Sequence, residues 1–236
     1  MENINCWESK FEICSYSNRL LDKIDLLNKQ VAHKVNINEV KKAIYYARKY
    51  HGSQMRQSGE PYYSHPIEVA YMFAEYTAEE IKQYYKTDLI VTSILHDTIE
   101  DTTLTEEMIL DIFGKQVATQ VESLTRVKSY GKVSSAQIIE NLLLQKEHEV
   151  AVIKLFDRLH NMQTIKAKPP EKIKKIIDET VKIFIFLSMH LDAPLIEKNL
   201  VELCQQYSFN LLQKRQITNH YPLFSFQENS LLPFLI

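Results

Sequence analysis

Apolar positions recur with a helical period along most of the chain. In residues 38–50, NEVKKAIYYARKY, Val40, Ala43, Ile44 and Ala47 share one face and lysines stand opposite. That pattern predicts an amphipathic helix, with Asn38 as its cap. GSQMRQSGEPYYSHP then breaks the period with Gly52, Gly59, Pro61 and Pro66, and reads as a loop. Helical periodicity resumes over 67–76 and continues through 78–86, 88–99, 105–113, 115–128 and 135–148. KSYGKVSS, around Gly131, is a polar and mobile loop on this reading. Further helices are predicted over 149–165, 171–190 and 194–207, with Pro170 suited to the first turn of its helix. Residues 208–236 carry no clear period, so that stretch either frays or packs on the domain. No internal repeat is present. The predicted class is all-α, a multi-helix bundle.

Composition agrees. Only four glycines occur in 236 residues, too few for the turns of a β-rich protein of this size. Hydrophobic residues make up 45% and charged residues 25%, an ordinary globular balance. A formal net charge of -2 gives no global attraction to nucleic acid or to anionic lipid. No apolar run reaches the roughly 18 residues that span a membrane. The start, MENINCWESK, lacks the pattern of a secretory signal. Cys6, Cys14 and Cys204 are scattered and form no CxxC pair, so the expected setting is a reducing cytoplasm.

The sharpest local feature is LHDTIEDT, residues 95–102. It sets His96, Asp97, Glu100 and Asp101 beside the apolar Leu89, Ile90, Val91, Ile94, Leu95 and Ile99. At roughly 100° per residue, these four polar residues fall within one arc of about 140° on a continuous helix. Acids are seldom buried unless paired or bound to a metal. A solvated acidic face would explain the HD pair alone equally well. Two further residues shift the balance toward a metal. His65 ends the loop just before Pro66, and Asp157 follows the apolar run AVIKLF. Two imidazoles and two carboxylates form a mixed nitrogen and oxygen set that suits Mn(II), Fe(II) or Zn(II) better than calcium. Such an ion acidifies water. Glu100 and Asp101 would stand close enough to orient that water or to move its proton.

The order His65, His96-Asp97, Asp157 resembles the HD superfamily of metal-dependent phosphohydrolases. The blocks RQSGEPYYSHPIEVA, ILHDTIEDTTLT, FGKQVA, the LT at 124–125 and IKLFDRLHNMQT resemble, more narrowly, the hydrolase domain of RelA/SpoT proteins. That resemblance runs from about Leu20 to about Tyr207. It implies an HD-type helical bundle and hydrolysis of the 3′-pyrophosphate of the guanine nucleotide alarmone (p)ppGpp. It implies one Mn2+ ion on His65, His96, Asp97 and Asp157, and a hydrolytic role for Glu100 and Asp101. Arg56, Ser58, Asn161 and Thr164 match positions that line the nucleotide site; a planar guanidinium at Arg56 can stack on guanine. His160, Tyr62 and Tyr63 read as structural, and His51 as either structural or part of the site.

Several positions depart from the family. Gln57 stands where some relatives carry lysine, which removes one charge from the phosphate site. Phe156 stands where a small residue is usual before the aspartate, and a bulky ring there would shift Asp157. Ile185-Phe186 replaces an alanine-proline pair. The expected organisation is an extension over 1–19, a hydrolase domain over 20–190, and a helix and tail over 191–236 that resembles the linker to a synthetase domain. A hydrolase without a synthetase is therefore the leading expectation. An alarmone-binding protein without turnover, and an HD enzyme for another nucleotide, remain the alternatives.

Overall fold

The computed structural model describes residues 7–128 and 131–218. Twelve α-helices account for nearly all regular structure among them, and the all-α expectation holds. The one sheet is a two-residue antiparallel ribbon pairing Val127 with Lys132 and Lys128 with Gly131. It falls in the segment read as a polar loop, whose Ser129 and Tyr130 lie outside the described residues, as does the tail after Thr218.

Helix α1 (Ser15–Asn28) buries Leu20, Leu21, Ile24 and Leu27 on one stripe. Helix α2 (Ile37–His51) buries the predicted face of Val40, Ala43, Ile44 and Ala47. Its cap is Asn36, two residues before the Asn38 predicted from sequence: the Asn36 side chain accepts from the Asn38 and Glu39 backbone N–H groups at 2.9 and 3.4 Å. The helix stops at Gly52, whose φ of +53° favours glycine. Helix α3 (Ser64–Glu79) follows the loop. It ends where the sequence reading began a new helix over 78–86; only a short 3-10 turn, Lys82–Tyr84, occurs there.

Helix α4 (Thr87–Leu95) is buried from Leu89 through Leu95. A helix apolar on every side belongs at the centre of a bundle. It packs on α2 and α3, and on α7 (Lys115–Leu124). The helix predicted over 88–99 is interrupted. His96 and Asp97 form a turn, and a separate short α5 (Thr98–Asp101) begins with the Asp101 N–H donating to the Asp97 carbonyl at 2.9 Å. Helices α6 (Glu106–Phe113) and α8 (Ser135–Leu144) both pack on α7. Helix α9 (His148–Gln163) runs through the core against α3 and α8.

The helix predicted over 171–190 is α10 (Pro170–Glu179), a π-turn over Thr180–Phe184, and α11 (Ile185–His190). Thr180 bonds back to the Ile176 carbonyl at 2.7 Å, a side-chain contact that competes with regular helix geometry. Helix α12 (Pro194–Thr218) runs past the predicted end at 207 and packs on α9 and α11. No described helix is long and apolar enough to cross a membrane.

Candidate functional site

Three helices bring the candidate ligands together. His65 is the second residue of α3, and its N–H is anchored on the Tyr62 carbonyl at 3.0 Å. His96 is the first residue beyond α4. Asp157 lies within α9. Both histidines are buried. Ligand atoms of His65, His96 and Asp157 all lie within 4.8 Å of one another. Asp97 adjoins this trio, with Oδ1 3.0 Å from His96 Nε2 and Oδ2 3.5 Å from His65 Nε2.

Hydrogen bonds fix the outer nitrogen of each imidazole. His96 Nδ1 sits 2.8 Å from the Ser93 carbonyl, which requires the proton on Nδ1. Nε2 then faces the cluster, where a bound ion would take the place of its proton. His65 Nδ1 sits 2.7 Å from His160 Nδ1. Burial, then the charges of His65 and Arg56, push His160 down to about 3, so it stays neutral and can accept. His65 Nε2 faces inward, 3.2 Å from Asp157 Oδ1. Two imidazoles and two carboxylates thus converge on one point, where the carboxylates repel each other. A cation resolves that repulsion.

The electrostatics say the same. Burial alone would lower the His96 pKa, but Asp97 and Asp157 outweigh it and raise it to about 10. Burial opposes the charge on Asp157, yet Lys154 and the two histidines hold its carboxyl well below the usual range. The field at this point favours positive charge. This donor set fits a divalent ion. Each imidazole also has its second nitrogen fixed by an outer partner, as in metal sites generally.

The single acidic helix face expected from sequence is corrected by the turn at His96–Asp97. Glu100 and Asp101 go to different partners. Asp101 Oδ2 accepts from the Tyr62 hydroxyl at 2.6 Å, and that hydroxyl lies 3.3 Å from Asp97 Oδ2. Glu100 Oε2 accepts from the Arg126 backbone N–H at 3.3 Å. Tyr62, read from sequence as packing, is therefore the bridge between Asp97 and Asp101. Its ring also stacks on His51 at 4.7 Å. His51 is buried and pairs its Nδ1 with Gln54 Oε1 at 2.9 Å. Burial raises the Asp101 pKa more than the Tyr62 bond lowers it.

Beside the cluster lies a cleft of about 190 Å³, lined by Arg56, Ser58, Tyr62, Asn161, Thr164 and Lys168 among others. The four expected nucleotide-site residues thus share one cleft. Arg56 Nη2 donates to Asn161 Oδ1 at 3.3 Å and to Thr164 Oγ1 at 3.2 Å. Asn161 Nδ2 donates to Asp157 Oδ1 at 2.6 Å. Asn161 is the physical link between cleft and cluster, one helical turn after Asp157.

Sequence reasoning passed over Lys154 and Lys168, and took His160 as structural without seeing that it orients His65. For Lys154 a signal existed: a lysine inside AVIKLF, one turn before Asp157, is an unpaired charge in a buried helix unless the acid meets it. Its Nζ lies 3.5 Å from Asp157 Oδ2.

Phe156 does not displace Asp157. Its buried ring meets Phe73 edge-on at 6.1 Å and Tyr76 at 5.5 Å, on the α3 side. Asp157 keeps its contacts with His65 and Asn161. Phe156→Ala is accordingly expected to cost about 3–5 kcal/mol of stability in urea unfolding, as large-to-small core changes do. Unchanged stability would mean that the ring is not part of the core.

The HD domain family model matches residues 43–193. The GTP pyrophosphokinase rsh of Brucella ovis is 36% identical over 196 residues, covering 80% of this chain and 25% of that protein. The GTP pyrophosphokinase of Myxococcus xanthus is 35% identical over 181 residues, covering 73% of this chain and 23% of that protein. The probable chloroplastic GTP diphosphokinase RSH3 of Arabidopsis thaliana is 34% identical over 193 residues, covering 76% and 26%. The chain spans about a quarter of the length of these curated relatives. A solved structure of a metazoan SpoT ortholog, which hydrolyses ppGpp, superposes with a TM-score of 0.57 at 21% identity. It covers 71% of this chain and 94% of its own, and supports the fold. The chain belongs to the HD-domain family, in its RelA/SpoT branch.

Proposed function

We propose that this chain hydrolyses the 3′-pyrophosphate of (p)ppGpp, with one Mn2+ ion, to give GDP or GTP and pyrophosphate. The observation that carries the reading is the convergence of two imidazoles and two carboxylates beside a cleft lined by cations and hydroxyls. The GTP pyrophosphokinase relatives support a guanine nucleotide as the substrate. His65, His96, Asp97 and Asp157 would hold the ion. When bound, the ion supplies Lewis acidity and offsets negative charge developing on the phosphoryl oxygens.

The protein's own groups do the rest. Asp101, held by Tyr62, takes the proton from the attacking water, and its raised pKa makes it a better base near neutral pH. Water adds to the phosphorus on the ribose 3′ oxygen, the P–O3′ bond breaks, and that oxygen takes up a proton. Glu100 fixes α5 against the Arg126 backbone and so sets where Asp101 stands. Arg56, Ser58, Asn161 and Thr164 bind the nucleoside part, with Asn161 keeping it in register with Asp157.

The test is turnover of ppGpp by purified protein in manganese, with EDTA as control, following GDP and pyrophosphate. Manganese-dependent release of both in equal amounts is expected. No release, with ppGpp binding still measurable by calorimetry, would replace hydrolysis with an alarmone-binding role.

A further inference from the structure

Lys168 stands at the end of the turn that follows α9, just before Pro169. Its backbone N–H is tied to the Ile165 carbonyl at 2.9 Å, which fixes where the side chain leaves the chain. The residue is half-buried in the wall of the cleft that holds Arg56. Among the described residues its ammonium has no hydrogen bond or ion pair. None of the residues lining the cleft is acidic. A half-buried, unpartnered lysine facing another cation costs free energy in the empty protein. Burial, then Lys172 and Arg56, lowers its pKa accordingly. Arg56 spends part of its donor capacity on Asn161 and Thr164, whereas Lys168 binds none of the described residues. The missing partner is an anion that enters from solvent.

We propose that Lys168 is the phosphate-reading residue of this cleft, and that it takes the nucleotide's 5′-diphosphate, the end that is not cleaved. The inference rests on the proposed nucleotide reading and deepens it. The scissile phosphates belong at the His65, His96 and Asp157 cluster, where the field favours a cation. A second phosphate chain on the same nucleoside needs its own positive charge, and Gln57 at the cleft supplies none. Lys168 supplies it from a different element, the segment after α9 instead of the loop before α3. An ammonium is a compact charge with rotatable donors, suited to a phosphate whose exact orientation varies. Guanine offers only the neutral acceptors O6 and N7, whereas a diphosphate brings the negative charge that pairs an ammonium.

The test uses the full chain and two probes, GDP and guanosine, by calorimetry in the absence of added metal. Lys168→Ala is expected to weaken GDP binding about tenfold or more, the scale of a lost charge-assisted hydrogen bond. Guanosine binding should stay within about twofold, and Lys168→Arg should restore GDP binding. The GDP affinity of the variant should also fall less steeply with salt. In turnover, Lys168→Ala should raise KM for ppGpp and leave kcat in place. Equal weakening of both probes, no weakening, or no GDP binding by the wild type would each overturn the assignment. If the wild type fails to hydrolyse ppGpp while GDP binding still depends on Lys168, the hydrolase reading falls and the Lys168 assignment stands. Because Lys168 has no partner among the described residues, its removal leaves none of their buried groups unsatisfied. Lys168→Gln, which keeps the stem, serves as a second variant.

Discussion

Asp157→Asn is expected to abolish stable metal binding and to lower ppGpp turnover by at least about 100-fold. Loss of an outer partner of a metal ligand alone costs about 10–100-fold in affinity or activity, so loss of a ligand must cost more. Asp157 is also the hub of the site. Its Oδ1 meets His65 Nε2 at 3.2 Å and Asn161 Nδ2 at 2.6 Å, and its Oδ2 meets Lys154 Nζ at 3.5 Å. Asparagine keeps the shape and removes the charge. Lys154 would lose its ion pair in a buried setting, so Asp157→Asn is a better probe than Asp157→Ala, which would also open a cavity.

The direct readout is metal-induced stabilisation. An ion present at about 100 times its Kd stabilises the native state by about 2.7 kcal/mol. For a chain of this size that is a rise in Tm of about 5–10 °C. The wild type should show that rise in manganese, and Asp157→Asn should show none. Metal analysis should fall from one ion per chain to near zero. A full Tm shift in the variant would remove Asp157 from the ligand set, whatever happened to activity.

Much of this site was readable before the fold was. The ligand residues lie in blocks whose order and wording are local, and apolar period placed α2 and α9 within two residues of where they form. The turn at His96–Asp97 was not readable. Residues 88–99 contain neither glycine nor proline and keep an unbroken helical period, so nothing local signals a stop. Tertiary contacts impose it: His96 reaches back to the Ser93 carbonyl and Asp97 leans toward both histidines. The break separates His96 and Asp97 from Glu100 and Asp101, which a continuous helix would have kept on one face. Tyr62 illustrates the same limit. Its role depends on Asp97 and Asp101, 35 and 39 residues away, and a tyrosine in a loop shows no sign of them in sequence. Helix α1 was overlooked for the opposite reason. The spacing of Leu20, Leu21, Ile24 and Leu27 is plainly helical, but it lies where motif wording only begins.

Asp101→Ala should give the second large effect, and it separates chemistry from metal binding. Removing a positioned general base typically costs about 10²–10⁴-fold in rate. Asp101 is absent from the His65, His96 and Asp157 cluster, and its carboxylate is linked to that of Asp97 through the Tyr62 hydroxyl. The manganese-induced rise in Tm should therefore survive in Asp101→Ala while kcat falls by that factor. The Tyr62 hydroxyl, released from Asp101, can still bond Asp97, from which it lies 3.3 Å. Tyr62→Phe provides the graded companion. The Tyr62 bond lowers the Asp101 pKa against burial, so its loss raises that pKa further. A base must be deprotonated to act, so the acid limb of the kcat profile should move to higher pH in Tyr62→Phe. In Asp101→Ala that limb should disappear. Near wild-type kcat in Asp101→Ala would move the proton-accepting role to another group. An unshifted acid limb in Tyr62→Phe would show that the limb reports a group other than Asp101.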